Sequence, residues 1–171
     1  MDALDTRSGI GQPVDATVRD QLLMPFVEAT RAALGEMAGT EVTVRAVYRA
    51  TPDHSLTDIS AVVRLAAATE GLLVLSFPGS TAAALARQVL AETICAVGED
   101  LVRDCMAEIA NVVAGQAKAL FAETPYRFAF FVPEVLVGGR RESWPKQGSK
   151  CLVIDFASVL GGFMMQLVLH S

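Results

Sequence analysis

The order of the predicted secondary structure repeats once along the chain, and this repeat limits the folds that the sequence allows. Residues 18–39 have the apolar spacing of a helix and precede three segments with the pattern of strands. A short helix follows, and residues 100–123 then predict a second long helix, again followed by three strands. We therefore expect an α+β protein in which two α-β-β-β halves form one antiparallel sheet with the long helices packed on a face. The repeat lies in element order and not in residue identity.

Single residues set the expected ends of the helices. Gly39 is a natural stop for the first long helix. Ser80 or Thr81 is the expected N-cap of the short helix within residues 78–92. Pro25 either kinks the first helix or marks its first turn, because proline lacks the backbone N–H that a helix interior requires.

Alternating side chains predict the strands. In residues 41–50 the alternation indicates a half-buried strand with Val44, Ala46 and Tyr48 on one face. The three strands expected after the second long helix lie within residues 126–139, 149–158 and 161–170.

The composition indicates one packed domain. The chain has 171 residues, of which 52% are hydrophobic and 19% are charged, so it has enough apolar surface for a sizeable core. Residues 1–14 are rich in Gly, Asp and Ser and predict a flexible N-terminal tail. Residues 15–171 are then expected to form a single domain.

Charge and cysteine content exclude several functions. The 14 Lys and Arg residues against 19 Asp and Glu give a net charge of −5, which argues against a nucleic-acid partner. Three cysteines, at positions 95, 105 and 151, form no CxxC pair, and the histidines are His54 and His170 alone. We therefore expect buried reduced thiols and no metal site.

The most apolar stretch, residues 151–170, has to be weighed as a membrane segment. Asp155 interrupts it, and Gly161 and Gly162 divide it into halves that are too short to span a bilayer. A hairpin of two strands fits better. Because the N-terminus also lacks an apolar signal core, we expect a cytoplasmic protein with no membrane insertion.

The second long helix carries a narrow row of polar and small residues, which we call the polar line. At 100° per residue its members fall within an arc of about 80°; they are Asp104, Glu108, Asn111, Gly115 and Lys118. The opposite side of the helix is an apolar stripe that predicts contact with the core; it comprises Val102, Met106, Ile109, Val113, Ala117 and Leu120.

The polar line is compatible with a plain solvated face, but two of its residues favour a surface for another protein. Asn111 and Gly115 are unfavourable in an exposed helix, glycine by about 1 kcal/mol relative to alanine. A glycine in mid-helix is typical of a close approach, either by a partner or by a neighbouring strand. Internal roles are the alternative: Glu108 would pair with Lys118 or Arg103, and Asn111 would cap a local loop.

The residues of the polar line resemble a family signature. The sequence DCMAEIAN at residues 104–111, followed by VVAGQA, resembles the D/S-xxx-E-xx-N signature of the CheC, CheX and FliY chemotaxis phosphatases. In that family a proline follows in a later strand, and Pro133 stands near that position. Residues 26–44 are similar to the opening helix and first strand of CheX proteins. Members with two sites carry the signature on the first helix as well, whereas here Glu28 is followed by Arg31, so the chain resembles CheX, which has a single site.

The resemblance implies a phosphatase that hydrolyses the aspartyl phosphate of a CheY-like response regulator. By resemblance, Asn111 orients the attacking water and Glu108 pairs with the regulator's active-site lysine. Asp104, Gly115 and Lys118 are then expected to bind the partner. The resemblance also implies a homodimer joined along sheet edges, and no cofactor of its own, because the phosphorylated regulator supplies the Mg²⁺.

Two other functions stay open on the sequence alone. One is a non-catalytic CheX-like module that binds a receiver domain or another signalling protein. The other is a purely structural assembly domain, which the apolar strands allow. The presence of both Glu108 and Asn111 favours the phosphatase.

Overall fold

The structure, a computed structural model, describes residues 12–50, 56–68, 70–91, 97–138 and 149–170. Within these ranges the chain forms one antiparallel sheet of seven strands, with helices packed on one face. This is the predicted α+β architecture. Most of the expected tail lies outside the described residues, as do His54 and Cys95, so what was inferred about them stays a prediction.

The predicted helical segments all form helices. A short helix α1 leads through a π-helical turn into the first long helix, α2, and two further helices, α3 and α4, follow the third strand of the sheet. Their bounds are Ala16–Val18 for α1, Arg19–Leu23 for the π-helical turn, Met24–Ala38 for α2, Gly79–Leu90 for α3 and Glu99–Phe121 for α4. Gly39 ends α2 in the left-handed conformation, with φ of 59°, as predicted.

The π-helical turn explains how the first helix accommodates Pro25. The wider turn at Arg19–Leu23 ends immediately before α2, and Pro25 then occupies one of the first two positions of α2. The chain before Pro25 is already helical, since the N–H of Met24 donates to the carbonyl of Arg19. Pro25 therefore lies in the first turn of α2 but not at the start of the whole helical segment, and the π-helical turn is the irregularity that precedes the proline.

The cap of α3 comes from a residue distant in sequence. Pro78 holds the N-cap position, and the backbone N–H of Gly79 donates to Oδ2 of Asp58 over 2.7 Å. The hydroxyl of Thr81 donates instead to the carbonyl of Gly162 over 3.0 Å. The predicted N-cap at Ser80 or Thr81 is wrong, because Asp58 supplies the acceptor from just before a neighbouring strand.

Every strand pairs with at least one strand from the other half of the chain. All pairings are antiparallel, in the order β1-β6-β7-β3-β2, with β4 and β5 both on the outer side of β2. The bounds are Thr43–Ala50 for β1, Ile59–Ala66 for β2, Glu70–Phe77 for β3, Ala129–Phe130 for β4, Glu134–Val137 for β5, Lys150–Ala157 for β6 and Phe163–Leu169 for β7.

The two halves of the chain occupy equivalent positions in the sheet, so the strand order is symmetric about its centre. The strands β3 and β7 pair at the centre, β2 and β6 flank them, and β1 and the β4–β5 segment form the edges. The first strand of each half therefore pairs with the second strand of the other half. This arrangement agrees with the duplication that the element order predicts.

Two strands depart from the predicted pattern. The register of β1 against β6 shifts between Val44 and Ala46, which places a bulge at Arg45. As a result Tyr48 packs on the opposite face of the sheet from Val44, and the predicted common face is wrong. The strand expected in residues 126–139 is divided into β4 and β5 just where Pro133 lacks a donor for pairing.

An aromatic group fixes α4 over the sheet. The ring of Phe26 on α2 lies 5.2 Å from that of Phe121, at the end of α4, and 5.9 Å from that of Phe128, just before β4. All three side chains are buried. Because these contacts hold one side of α4 in the core, the polar line on its other side is held at the surface.

Candidate functional site

The five residues of the polar line lie together on the outer side of α4, as the helical spacing predicts. Asp104, Glu108 and Lys118 are exposed, and Asn111 and Gly115 are half-buried. The apolar stripe opposite them is buried against the sheet and α2, with the relevant side chains being Val102, Met106, Ile109, Val113 and Ala117.

The last member of the predicted stripe is an exception. Leu120 is 46% exposed, whereas the next residue, Phe121, is 1% exposed and packs among the aromatic rings of the core. The larger ring fills this end of the core in place of the leucine, so the prediction for Leu120 is wrong.

The described part of the fold leaves the polar groups of Glu108 and Asn111 unengaged. In the described part of the chain, neither side chain makes a hydrogen bond or an ion pair. The internal alternatives, a pairing of Glu108 with Arg103 or Lys118 and a loop cap by Asn111, are therefore not found among these residues. A carboxylate and an amide one turn apart are thus presented outward with their hydrogen-bonding groups available.

The carboxylate of Glu108 lies close enough to the thiol of Cys105 to influence its pKa. Burial raises the pKa of the Cys105 thiol, and the negative charge of Glu108 raises that pKa further. Cys105 and Cys151 are both buried, as predicted for these two cysteines. The thiol therefore stays protonated beneath the polar line at neutral pH.

The described surroundings of Gly115 leave room for a side chain. A Cβ at this position would meet just one described side chain within 4 Å, the ring of Phe130 at 3.9 Å, which is an ordinary van der Waals distance. The neighbouring strand therefore does not require a glycine at this position.

The broken edge strand lies beside the second half of α4. Between β4 and β5 the chain exposes Phe131 and Val132, which are 51% and 85% exposed. The guanidinium of Arg64 lies 4.7 Å from the centre of the Phe131 ring, so the ring is held on the far face of the sheet. Pro133 is half-buried at this break and shapes the edge strand.

A groove of about 770 Å³ opens at the C-terminal end of the polar line. Gly115 and Lys118 line it together with Arg127, with Phe128 and with six alanines from α4, β4 and the turn after β2. No pattern in the sequence predicts this groove, because its walls come from segments about fifty residues apart that carry no common motif.

The corresponding surface of α2 differs in chemistry from that of α4. Glu28 is exposed, but Arg31, which stands where the signature has asparagine, donates from Nε to the carbonyl of Val42 over 3.3 Å. The guanidinium is thereby engaged by the chain's own backbone. The expectation of a single site, on α4, stays a prediction.

Searches for a metal centre and for a membrane helix gave no candidates in the described ranges. These residues contain no group of three or more His, Cys, Asp or Glu side chains arranged to hold a metal ion. Their helices also include none that is both long enough and apolar enough to cross a bilayer.

The fold and the polar line define a class of protein: an α+β domain of two similar halves that presents a carboxylate and an amide on its second long helix. Residues 59–157, more than half of the chain, match the family described as chemotaxis phosphatase CheX. The chain belongs to the CheX family. A comparison with curated protein sequences gave no match.

Solved structures of the same fold agree with this assignment. The chain is 27% identical to the chemotaxis protein CheX of Desulfovibrio desulfuricans, with a TM-score of 0.78 over 88% of this chain and 99% of that chain. The chain is 24% identical to CheX of Vibrio vulnificus, with a TM-score of 0.75 over 88% of this chain and 99% of that chain. It is 20% identical to the matched chain in the CheX–CheY–BeF₃–Mg²⁺ complex of Borrelia burgdorferi, with a TM-score of 0.62 over 86% of this chain and 96% of that chain. The last two likenesses bear on the fold alone.

Proposed function

We propose that this protein is a phosphatase that hydrolyses the aspartyl phosphate of a CheY-like response regulator. The observation that carries the proposal is the pair of exposed Glu108 and half-buried Asn111, whose polar groups make no bond within the described part of the fold, in a chain of the CheX family. The B. burgdorferi complex supports the choice of partner, since that CheX is bound to CheY together with Mg²⁺ and BeF₃, a mimic of the phosphoryl group.

Asn111 is proposed to orient the attacking water. An aspartyl phosphate is already reactive, so the phosphatase has to place a water in line with phosphorus more than it has to supply covalent chemistry. The water oxygen bonds to phosphorus as the bond to the aspartate oxygen breaks, which leaves inorganic phosphate and a free carboxylate. The amide suits this task because it offers a donor and an acceptor without changing its charge.

The other polar-line residues are proposed to hold the two proteins in register. Glu108, one helical turn before Asn111, would pair with the regulator's active-site lysine and so fix the angle at which Asn111 enters. Asp104 and Lys118 would make contacts on either side of this pair, and Gly115 would allow the regulator to approach the helix. The Mg²⁺ belongs to the regulator, so this chain is proposed to need no cofactor of its own.

We also propose a cytoplasmic homodimer joined along a sheet edge. One edge of the sheet, β1, is partly covered by its own chain, since the N–H of Arg49 donates to the carbonyl of Gln12 over 2.9 Å. On the other edge, the described residues place no strand outside β5. An uncovered edge is a template for pairing with a second copy, and β5 is therefore the edge that favours dimerisation.

The alternative function is a CheX-like module that binds a receiver domain without hydrolysis. The two functions predict the same docking surface and differ in the need for Asn111. A test therefore has to measure binding and phosphate release on the same variants.

The decisive experiment is phosphate release from a phosphorylated receiver domain, with and without this protein. We expect wild type to accelerate release and Asn111→Ala to lose at least about 100-fold of the acceleration, as is typical when one positioned polar group is removed. Binding of the Asn111→Ala variant to the BeF₃-bound receiver is expected to stay within about threefold of wild type, because Glu108 is intact.

Gln88→Ala is a matched control, since it removes an exposed side-chain amide from α3, away from the polar line. It is expected to match wild type in both assays. Binding without acceleration by the wild-type protein would establish the non-catalytic module instead.

A further inference from the structure

The groove at the end of the polar line has the shape of a docking site. Its volume is about 770 Å³, and most of the residues that line it are alanines, so its wall consists mainly of small apolar side chains. Gly115 and Lys118 belong both to the groove and to the polar line. The two surfaces are therefore continuous.

The charges on the groove have a single sign. Lys118 and Arg127 are the charged residues that line it, and both are exposed. Neither takes part in an ion pair with any residue that the structure describes. Nearby acids, Glu70 after the turn and Glu123 after α4, do not line the groove. A pair of cations on a chain with a net charge of −5 favours an acidic occupant at this place.

The groove lies within reach of a partner that is centred on Asn111. Seven helical residues separate Asn111 from Lys118, a rise of about 10 Å. A standard protein interface covers about 800 Å² of each partner, which corresponds to a radius of about 16 Å. A receiver domain docked on the polar line would therefore cover the groove as well.

We propose that the groove binds an acidic surface segment of the same receiver domain whose phosphate the polar line addresses. The segment places an apolar side chain against the alanines and its carboxylates beside Lys118 and Arg127. This inference rests on the proposed function, since it takes the same partner. It adds a contact that selects among receivers by the charge of the segment next to their phosphorylation site.

Charge reversal tests the proposal directly. The test variant is the double substitution Lys118→Glu/Arg127→Glu. The control is Arg87→Glu/Lys150→Glu, which reverses two exposed cations on α3 and β6 and changes the net charge by the same amount. The Kd for the BeF₃-bound receiver is measured at about 50 mM and about 300 mM salt, because salt screens exposed charges. We expect the groove variant to bind about tenfold more weakly at low salt and with a reduced salt dependence, and the control variant to match wild type.

A second variant tests the shape of the groove without changing its charge. Ala119→Leu fills the groove from an exposed helical position where leucine is well tolerated, so the fold is preserved. It is also expected to weaken binding about tenfold, since a blocked pocket loses its apolar contact. Circular dichroism checks that each variant is folded.

The possible results separate the two proposals. If wild type accelerates phosphate release and the groove variants bind like wild type, the groove proposal is wrong and the phosphatase stands. If the groove variants change self-association and leave receiver binding intact, the occupant is a second copy of this chain and the proposal is overturned. If wild type neither binds nor accelerates any receiver, the proposed function fails and the groove proposal fails with it.

Discussion

The ring of Phe130 stands beside Gly115, with its Cζ 3.9 Å from the point where a Cβ on Gly115 would stand, which is an ordinary van der Waals distance. The fold therefore has room for alanine at this position. We expect Gly115→Ala to raise the free energy of unfolding by about 1 kcal/mol, because alanine is the better helix former, and the melting temperature by about 2–4 °C. If a receiver approaches α4 closely, the same methyl group weakens its binding.

Gly35→Ala is the control for this experiment. Gly35 lies in α2, and a Cβ there would meet nothing within 4 Å. It is expected to give a similar gain in stability with unchanged receiver binding. Equal binding by both variants would show that no partner needs the glycine at position 115.

Variants at Glu108 and at Asn111 are expected to lose different properties, receiver binding for Glu108 and the rate of phosphate release for Asn111. Glu108→Gln removes the charge that would pair with the regulator's lysine while keeping the size of the side chain, so we expect a Kd about tenfold weaker at low salt. Asn111→Ala is expected to affect the rate of phosphate release far more than the Kd. Titration calorimetry with the BeF₃-bound receiver and a phosphate-release assay on both variants separate these effects. A normal Kd for Glu108→Gln would exclude the proposed ion pair.

The thiol of Cys105 makes stability depend on pH. Its pKa is raised in the folded state, by burial first and by Glu108 second, so the folded protein holds this proton more tightly than the unfolded chain does. Its contribution to stability is therefore complete below about pH 8.5, where an unfolded cysteine ionises, and is lost as the pH rises above that value. We expect urea unfolding to show a falling free energy above about pH 8.5.

Cys105→Ala isolates this contribution. The variant has a lower stability at neutral pH because of lost packing, but its stability is expected to fall less steeply above about pH 8.5. Tyr48 acts in the same direction at higher pH, since burial and the charge of Asp155 raise its pKa. Tyr48→Phe is therefore measured in parallel. Identical pH profiles for wild type and Cys105→Ala would contradict the assignment to Cys105.

Local patterns predicted the parts of the site that lie on one helix. The spacing of the polar line depends on the 3.6-residue period alone, and the structure places all five of its residues on one surface. The order of helices and strands was likewise readable from runs of apolar residues. Both features were predictable because burial of an apolar face determines them.

Features built from distant segments were not predictable. The cap that Asp58 provides for α3 joins residues 21 positions apart, and the hydrogen bond itself leaves no pattern in either segment. The bulge at Arg45 reverses the face of the residues after it, which strict alternation cannot anticipate. The groove beside Lys118 also depends on tertiary contacts, since its alanines are ordinary residues in each separate segment.

The turn between β6 and β7 gives a prediction for stability. Gly161 has φ of 128°, a conformation that favours glycine, and a Cβ there would overlap with the hydroxyl of Thr81. That hydroxyl also donates to the carbonyl of Gly162 and so joins the turn to α3. We expect Gly161→Ala to lower the free energy of unfolding by at least about 2 kcal/mol, from backbone strain and steric overlap together.

Urea unfolding of Gly161→Ala, Thr81→Ala and the double variant separates the two causes. The cost of Gly161→Ala should be smaller in the Thr81→Ala background; an equal cost in both backgrounds would assign the whole effect to the backbone.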